Sequence, residues 1–353
     1  MSASASYTST SPIIRVGFVP LVDAAPLIVA KELGYYDDAG VSVRLIREPG
    51  WASIRDKIAM GHELEAAHAL AGLSFATSFG IGCIASHCQT GLILSEHGNA
   101  LTISEQLYNK GIHQPSDLRT GIEGSQGGKL RIAVVHAASS HRFLVHHLFT
   151  KAGLSMETEV ELITLPPELM PKALSSGTID AFCAGEPWNS VAIQDHRAYC
   201  LATSREALLE LPEKVLLASH RFASDREEEH LRLIAATLRA CQKCADPKFA
   251  PELSEMLSQP NYLGIPQALI RNSLTPPFDR GQDTGIQSAA SAPSFAGDDV
   301  NRPTVERGNS VLSQFRVCGF LSSSAPKNPD IKIGQIFRSD LFDRAANQLQ
   351  PAA

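Results

Sequence analysis

The chain lacks a long apolar run and lacks any concentration of positive charge. No stretch of its 353 residues approaches the roughly 18 apolar residues of a membrane-spanning helix, so membrane insertion is not expected. Aspartate and glutamate (37 together) outnumber lysine and arginine (31), and no basic run could follow a phosphate backbone. Direct binding of nucleic acid is therefore not expected either.

The N-terminal segment lacks the features of a secretory leader. Residues 1–12 are mostly small or hydroxyl-bearing and contain neither a positively charged region nor an apolar region. This composition predicts disorder over residues 1–12. Either the protein is cytoplasmic or a leader has been removed, and the initial Met1 favours the cytoplasmic location.

Motifs for catalysis and cofactor binding are also missing. His62-Glu63 and His68 have the spacing H-E-x-x-x-x-H, whereas two imidazoles share a helix face only in H-E-x-x-H. Gly128-Lys129 lacks the hydroxyl residue of a P-loop because Leu130 follows the lysine. No nucleophile–base motif such as Gly-x-Ser-x-Gly occurs. We therefore expect a binding protein without a cofactor, and not an enzyme.

The seven cysteines do not have the spacing of a disulfide framework. Cys241 and Cys244 form one C-x-x-C, which is either a redox or zinc pair or two residues one turn apart on an amphipathic helix. The helix interpretation is favoured because no second C-x-x-C or neighbouring histidine pair completes a zinc site. Reduced thiols suit the cytosol.

The chain does contain a strand–helix–strand pattern that occurs twice. Residues 15–19 and residues 131–135 are each expected to form a buried strand. A helix, a second strand (41–45 or 159–163), a second helix and a third strand (64–69 or 179–184) follow in each copy. The pattern predicts an α/β protein of two similar lobes, and two facing lobes form a cleft that binds small molecules.

The repeat also predicts how the chain is divided. The first lobe is expected to comprise residues 13–102 and 222–353, and the second lobe residues 103–221. Residues 222–276 have helical periodicity, and the apolar spacing over 308–350 predicts two closing helices that pack on the first lobe. Residues 281–307 are rich in Gly, Ser, Ala, Asp and Pro and are predicted to form a mobile loop.

Candidate binding residues follow the strands, because ligands of parallel α/β lobes bind beyond the carboxyl ends of the strands. Trp51 is either a flat wall and N–H donor for a planar ligand or a tryptophan that covers the core. His141 begins a helix, where main-chain N–H groups attract anions, but it could instead be a capping or packing histidine. Lys214, which starts an apolar strand, is either a binding residue or a solvated surface lysine.

Several segments resemble, in order, the nitrate- and bicarbonate-binding proteins of ABC transporters: residues 17–27, 51–57, 185–189, 212–216 and 261–266. The resemblance covers roughly residues 13–275 and, more loosely, 308–347. It implies the two-lobed periplasmic-binding-protein fold of type II with a central ligand cleft.

The resemblance also implies a nitrate pocket. By correspondence with the family motifs, its residues are Trp51, Asn99, His141, Gly185, Glu186 and Lys214. Asn99 replaces a glutamine of the family and shortens that side chain by one methylene. Lys214 is expected to supply positive charge, His141 to titrate near neutrality, and Glu186 to orient Lys214 or a donor without touching the anion.

Because no leader is expected, the chain resembles most the leaderless cytoplasmic nitrate/nitrite sensors of the NasS type. These sensors hold an ANTAR-type RNA-binding antitermination regulator inactive and release it when the anion binds. One alternative is the substrate-binding component of an ABC transporter for nitrate, nitrite or bicarbonate. An alkanesulfonate-binding protein would need a longer apolar cleft, and a thiamine-pyrimidine synthase would need iron-binding cysteines.

Overall fold

The computed structural model describes residues 12–123, 128–194, 198–207, 210–275, 277–282, 286–287, 291–320 and 333–349. The disorder expected for residues 1–12 falls, except for Pro12, outside these described residues. Within them, no helix is both long and apolar enough to cross a membrane.

The strands, numbered along the chain, are β1 (Ile14–Phe18), β2 (Val43–Arg47), β3 (Ala66–Leu70), β4 (Cys88–His97), β5 (Asn99–Ser104), β6 (Leu130–Val134), β7 (Val160–Thr164), β8 (Ala181–Gly185), β9 (Ala198–Thr203), β10 (Pro212–Ser219), β11 (Phe278–Asp279), β12 (Ile286–Gln287) and β13 (Pro293–Ser294).

The α-helices are α1 (Ala25–Glu32), α2 (Tyr35–Asp38), α3 (Trp51–Met60), α4 (Ala71–Phe79), α5 (Glu105–Asn109), α6 (Leu118–Glu123), α7 (Ser140–Lys151), α8 (Met170–Ser175), α9 (Trp188–Gln194), α10 (His220–Asp225), α11 (Glu227–Cys244), α12 (Ala250–Ser258), α13 (Gln267–Leu274), α14 (Val305–Val317), α15 (Ile333–Ile336) and α16 (Ser339–Asn347).

Two sheets built on the same plan organise these elements. The first has the strand order β13-β4-β10-β3-β1-β2 and the second the order β7-β6-β8-β5-β9. In each sheet the first strand of the repeat lies between its second and third strands and is parallel to both. An antiparallel strand then joins the third, β10 in one sheet and β5 in the other. The predicted α/β architecture of two similar lobes is confirmed.

An ion pair at the amino ends of the strands is also duplicated. Arg15 begins its copy of the repeat, and its guanidinium lies 2.6 Å from the Glu65 carboxylate just before β3. Arg131 lies 2.8 Å from Asp180, just before β8. In both copies the main-chain N–H of the arginine also donates to the same carboxylate. The pair therefore fastens the first strand to the third identically in the two lobes.

The crossings between the lobes differ from the boundaries predicted at residues 102 and 221. The chain leaves the first sheet at the end of β4 and enters the second at Asn99, through His97 (φ 59°) and Gly98 (φ 88°). It returns after β9, because β10 pairs with β3 and β4 of the first sheet and not with the second. The repeat reveals only three strands per lobe, whereas the crossing segments contribute the antiparallel ones.

Residues 291–307, within the predicted mobile loop at 281–307, are held against β4. Pro293 and Ser294 pair with the end of β4. The Asn301 amide donates to the carbonyl oxygens of Ile93 and Phe295, at 2.8 Å each. Residues 291–307 are therefore anchored by hydrogen bonds that their loop-like composition does not reveal, while residues 283–285 and 288–290 lie outside the described residues.

The helical predictions for the C-terminal part are confirmed. Residues 222–276 contain most of α10 and all of α11, α12 and α13, and Cys241 and Cys244 lie one turn apart in α11 with buried thiols. The closing helices are α14, which buries Phe315, and α16, which buries Leu341.

The lobes are closed on each other in this structure. The Phe143 ring of α7 lies 5.5 Å from the Phe315 ring of α14. The Val22 N–H of the first lobe donates to the Glu186 carbonyl oxygen of the second at 2.8 Å. Gly72 also makes a close approach, because a Cβ at this position would overlap the Ala138 carbonyl oxygen of the second lobe.

Candidate functional site

Strand ends of the two lobes meet between the sheets. Trp51 begins α3 a few residues after β2, and Lys214 of β10 lies opposite the last residue of β3. In the second lobe Asn99 lies opposite Gly185, the last residue of β8, and His141 is in the first turn of α7. Each of these four side chains is at most 2% exposed. The structure thus brings together Trp51, Asn99, His141 and Lys214 around Gly185.

Lys214 is held by two carboxylates. Its ammonium lies 2.7 Å from Asp23 Oδ2 and donates a hydrogen bond of 2.7 Å to Glu213 Oε1. Burial opposes the charge of Lys214, but the two carboxylates raise its pKa above the ordinary value. Burial also opposes the charge of Asp23 and Glu213, yet chiefly the ammonium lowers both of their pKa values. All three groups are therefore ionised, and together they carry a net charge of −1.

His68 and Trp51 complete the first-lobe side of the cluster. His68 Nε2 lies 2.8 Å from Asp23 Oδ1, and its ring centroid is 5.2 Å from that of Trp51. The Lys214 ammonium lies 5.5 Å from the Trp51 ring centroid, which is a cation–π distance. Trp51 is thus fixed between a cation and an imidazole.

The second lobe contributes neutral polar groups. His141 Nε2 lies 2.7 Å from Asn99 Oδ1, and Asn99 Nδ2 donates to Ser140 Oγ at 3.3 Å. The imidazole also reaches across the cleft, because His141 Nε2 lies 3.7 Å from Glu213 Oε1. The Asn99 amide therefore orients His141 from the side of the second lobe.

Three ring nitrogens of this cluster are buried and have neither a hydrogen-bond nor an ion-pair partner among the described residues. They are Trp51 Nε1, His68 Nδ1 and His141 Nδ1. An unsatisfied buried N–H group costs roughly 1–3 kcal/mol, so such groups mark positions where a ligand acceptor would be stabilising. The indole N–H suits an oxygen atom of a small ligand. His141 Nδ1 is an acceptor in the neutral ring, because Nε2 carries the proton that is donated to Asn99 Oδ1.

The histidines differ from the sequence expectation that His141 titrates near neutrality. Burial lowers the pKa of His141 to about 4, a shift that Glu213 reduces and Lys214 strengthens. Burial also lowers the pKa of His68, although Asp23 opposes this shift. Both imidazoles are therefore neutral at pH 7.

Glu186 does not orient Lys214, which is the first of the two roles expected for it from the sequence. Its Oε2 accepts hydrogen bonds of 3.0 Å from Ser190 Oγ and Ser273 Oγ. Burial raises its pKa, although these serines partly offset the effect. The reason is that the strand ends at Gly185, so the next residue turns its side chain toward α9 and α13. Asp23 and Glu213 hold the lysine instead.

Gly185 contributes to the site by having no side chain. A Cβ there would lie 3.4 Å from Asp23 Oδ2 and 3.5 Å from Asn99 Oδ1. Any larger residue would therefore occupy the space between the charged and neutral sides of the cluster.

Asp23, His68 and Glu213 were not among the residues chosen from the sequence. Asp23 does follow β1, so the strand-end rule points to it. Glu213 directly precedes Lys214, and a carboxylate beside a buried lysine is a recognisable signal. His68 lies inside β3 and gives no such signal, since its metal-like spacing with His62 is unrelated to its position here.

The comparison with known families gives a clear assignment. A model of the family described as "NMT1-like family" matches residues 8–258, which is more than half of the chain. The chain belongs to the NMT1-like family. This membership agrees with the resemblance found in its motifs.

Curated relatives cover nearly the whole chain. The nitrate import ATP-binding protein NrtC of Synechocystis sp. is 32% identical over 95% of this chain and 50% of its own length. The bicarbonate transport ATP-binding protein CmpC of the same organism gives the same values. The nitrate/nitrite binding protein NrtA of Synechococcus elongatus is 24% identical over 95% of this chain and 78% of its own. The chain thus spans about half the length of the first two relatives.

Solved structures confirm the fold. The periplasmic nitrate-binding protein NrtA from Synechocystis PCC 6803 superposes with a TM-score of 0.88 at 20% identity, over 96% of this chain and 89% of that one. The aliphatic sulphonate binding protein SsuA from Escherichia coli gives a TM-score of 0.65 at 15% identity, over 93% and 92%. The periplasmic-binding-protein fold expected from the sequence is therefore established.

Proposed function

We propose that the chain binds nitrate or nitrite between its two lobes, and that it acts by binding and not by catalysis. The observation that carries this proposal is the buried Trp51 Nε1–H, a donor without a partner among the described residues, close to the Lys214 ammonium. Names of relatives that include nitrate support this anion, while other relatives of the same identity are named for bicarbonate.

The geometry suits a small planar anion. Trp51 offers a flat wall and one N–H group, Lys214 an ammonium proton, and Asn99 and His141 neutral groups from the opposite lobe. Each charge-assisted hydrogen bond contributes ~1.5–3 kcal/mol. Three such contacts, less the entropy lost on capture, correspond to roughly micromolar affinity, or about −8 kcal/mol.

The sequence led us to expect an uncompensated positive charge at Lys214. Asp23 and Glu213 offset its charge, so neutral donors and the closure of the lobes have to provide most of the binding energy. Trp51 and Lys214 belong to one lobe and Asn99 and His141 to the other. A ligand that touches both sets stabilises the closed arrangement over the open one.

This coupling supports a sensor that regulates a partner. In this proposal the chain is cytoplasmic, its open form holds an ANTAR-type antitermination regulator, and the anion favours the closed form that releases it. The relatives at 32% identity are named as ATP-binding proteins, whereas a relative named as a binding protein is 24% identical. These names refer to import, transport and binding of the anion, so support for a regulatory partner comes from the coupling between the lobes alone.

The alternative is the substrate-binding component of a nitrate, nitrite or bicarbonate ABC transporter, which the names of the NrtA and CmpA relatives favour. The two functions differ in the partner. A purified ANTAR regulator should co-elute with the chain and separate from it when nitrate is added. Reciprocity requires that the regulator weaken nitrate binding by the same factor, so equal nitrate affinities with and without it would reject the sensor.

The ligand is tested by calorimetry with nitrate, nitrite and bicarbonate on the full chain. We expect nitrate or nitrite to bind at roughly micromolar concentration. Bicarbonate as the tightest ligand would favour the transport alternative for that anion. If none of the three binds below about 1 mM, the proposal of an oxyanion site between the lobes is wrong.

A further inference from the structure

The net charge of the candidate site differs from that of a site that binds anions of any charge. Two carboxylates, Asp23 and Glu213, surround one ammonium, Lys214, and the residues are at most 4% exposed. The formal charge of this trio is −1. An anion that enters therefore meets a negative site.

The other groups that face the trio are few. His68 approaches from β3, Trp51 from α3, His141 and Ser140 from α7, and Asn99 from β5. Both imidazoles are neutral at pH 7 because burial lowers their pKa values. Glu186 bonds to serines on its other side and does not contact the trio.

The electrostatic free energy of binding an oxyanion at this site depends on the charge of the oxyanion. A singly charged oxyanion brings the total to −2, and one proton on an imidazole returns it to −1. A doubly charged oxyanion brings the total to −3 and would need both imidazoles protonated. Coulomb repulsion between buried groups a few ångströms apart is large compared with one hydrogen bond, so the second charge is strongly disfavoured.

The two carboxylates are not equivalent. Asp23 has two partners of its own lobe, His68 at 2.8 Å and Lys214 at 2.7 Å. Glu213 shares Lys214 but also lies 3.7 Å from His141, which comes from the opposite lobe. Glu213 is therefore the negative charge that lies toward the side on which the ligand must contact both lobes.

We propose that Glu213 is a specificity-determining residue that admits singly charged oxyanions and excludes doubly charged ones. The inference rests on the proposed function, since it concerns the same site. Sulfate is the probe for exclusion, because it offers oxygen acceptors like those of nitrate with one more negative charge.

The test compares nitrate and sulfate by calorimetry in the full-length chain and in Glu213→Gln. The wild type should bind nitrate at least 100-fold more tightly than sulfate. Glutamine keeps the size and an oxygen acceptor for Lys214 but removes the charge, so the preference for nitrate should fall at least tenfold. Glu65→Gln is the matched control, because it neutralises a carboxylate at the opposite end of β3, and its preference should equal that of the wild type.

The outcomes separate this inference from the proposed function. If the wild type binds nitrate and sulfate equally, or if Glu213→Gln keeps the full preference, charge selection is wrong while anion binding stands. If the wild type binds no oxyanion, the proposed function and the inference both fail. The wild-type comparison remains decisive should Glu213→Gln not fold, as monitored by circular dichroism.

Discussion

The two lobes share their architecture and differ in their chemistry. Five strands follow the same plan in both sheets, and the first sheet has β13 in addition. Both lobes fasten the first strand to the third with an arginine–carboxylate pair, Arg15–Glu65 or Arg131–Asp180. At the opposite, carboxyl ends of the strands the likeness stops. The first lobe supplies charged groups such as Lys214, and the second supplies neutral groups such as Asn99. Duplication therefore explains the cleft, while divergence at one edge of each sheet explains the site.

Removal of the positive charge from the first lobe should have the largest effect on stability and on binding. Lys214→Ala leaves Asp23 and Glu213 buried without their ammonium. We expect a loss of about 3–5 kcal/mol in the free energy of unfolding, because one partner of a buried ion pair is missing, and no measurable nitrate binding. Urea denaturation and calorimetry measure these effects.

Two variants serve as references for this prediction. Asn99→Ala removes the corresponding neutral group of the second lobe and should cost only about 1–2 kcal/mol of stability. Lys248→Ala removes an exposed lysine and should change neither property. Equal effects of Lys214→Ala and Asn99→Ala would mean that the charged and neutral sides do not differ as described.

The second prediction concerns how nitrate affinity depends on pH through His141 of the second lobe. The pKa of His141 is lowered to about 4, so the ring is neutral above that pH. A nearby anion raises this pKa in the complex, and binding then takes up a proton. Between about pH 4 and the pKa of the complex, nitrate affinity should fall as pH rises, by at most about tenfold per pH unit.

Calorimetry from pH 5 to 8 checks this sign, with circular dichroism to confirm folding. In His141→Gln the slope should be smaller, and His68 accounts for what remains, because it faces Asp23, Lys214 and Trp51 in the same cluster. An affinity that is constant over the whole range in the wild type would contradict proton uptake by these imidazoles.

The comparison of the lobes also shows how far the sequence can be interpreted. The repeat predicts the two sheets, and the position after a strand identifies Trp51, His141 and Gly185, because strand periodicity and strand ends are local properties. Asn99 and Lys214 are identified by the family resemblance. The structure differs from the sequence expectation in two places: Glu186 does not contact Lys214, and β10, which precedes the predicted boundary at residue 221, belongs to the first sheet. Each difference depends on a neighbour far away in the chain. Ser273 meets Glu186, and β3 meets β10, only after folding.

A third prediction tests whether closure of the lobes contributes to binding apart from the site itself. In Gly72→Ala the new Cβ would overlap the Ala138 carbonyl oxygen and the Phe315 ring, so the lobes must separate slightly there. Every site side chain is retained, yet nitrate affinity should fall about tenfold, because closing the lobes costs an additional ~1.4 kcal/mol.

The control for closure is Gly334→Ala. Its Cβ would lie 3.4 Å from Val305 Cγ2, an ordinary contact, so affinity should not change. Small-angle scattering should show a larger radius for Gly72→Ala at saturating nitrate than for the control. Identical affinities in the two variants would show that closure at this seam does not contribute to binding.

The smallest expected effect concerns the feature that the lobes share. Arg15 and Arg131 are each 38% exposed, so solvent screens both ion pairs, and each contributes about 1 kcal/mol or less. Glu65→Gln and Asp180→Asn should therefore lower the free energy of unfolding by similar, small amounts in urea denaturation, and neither should change nitrate affinity. A loss of binding in one variant alone would mean that the amino ends of the strands have also diverged. Equal small losses would instead locate the divergence at the carboxyl ends, where one lobe carries charge and the other neutral donors.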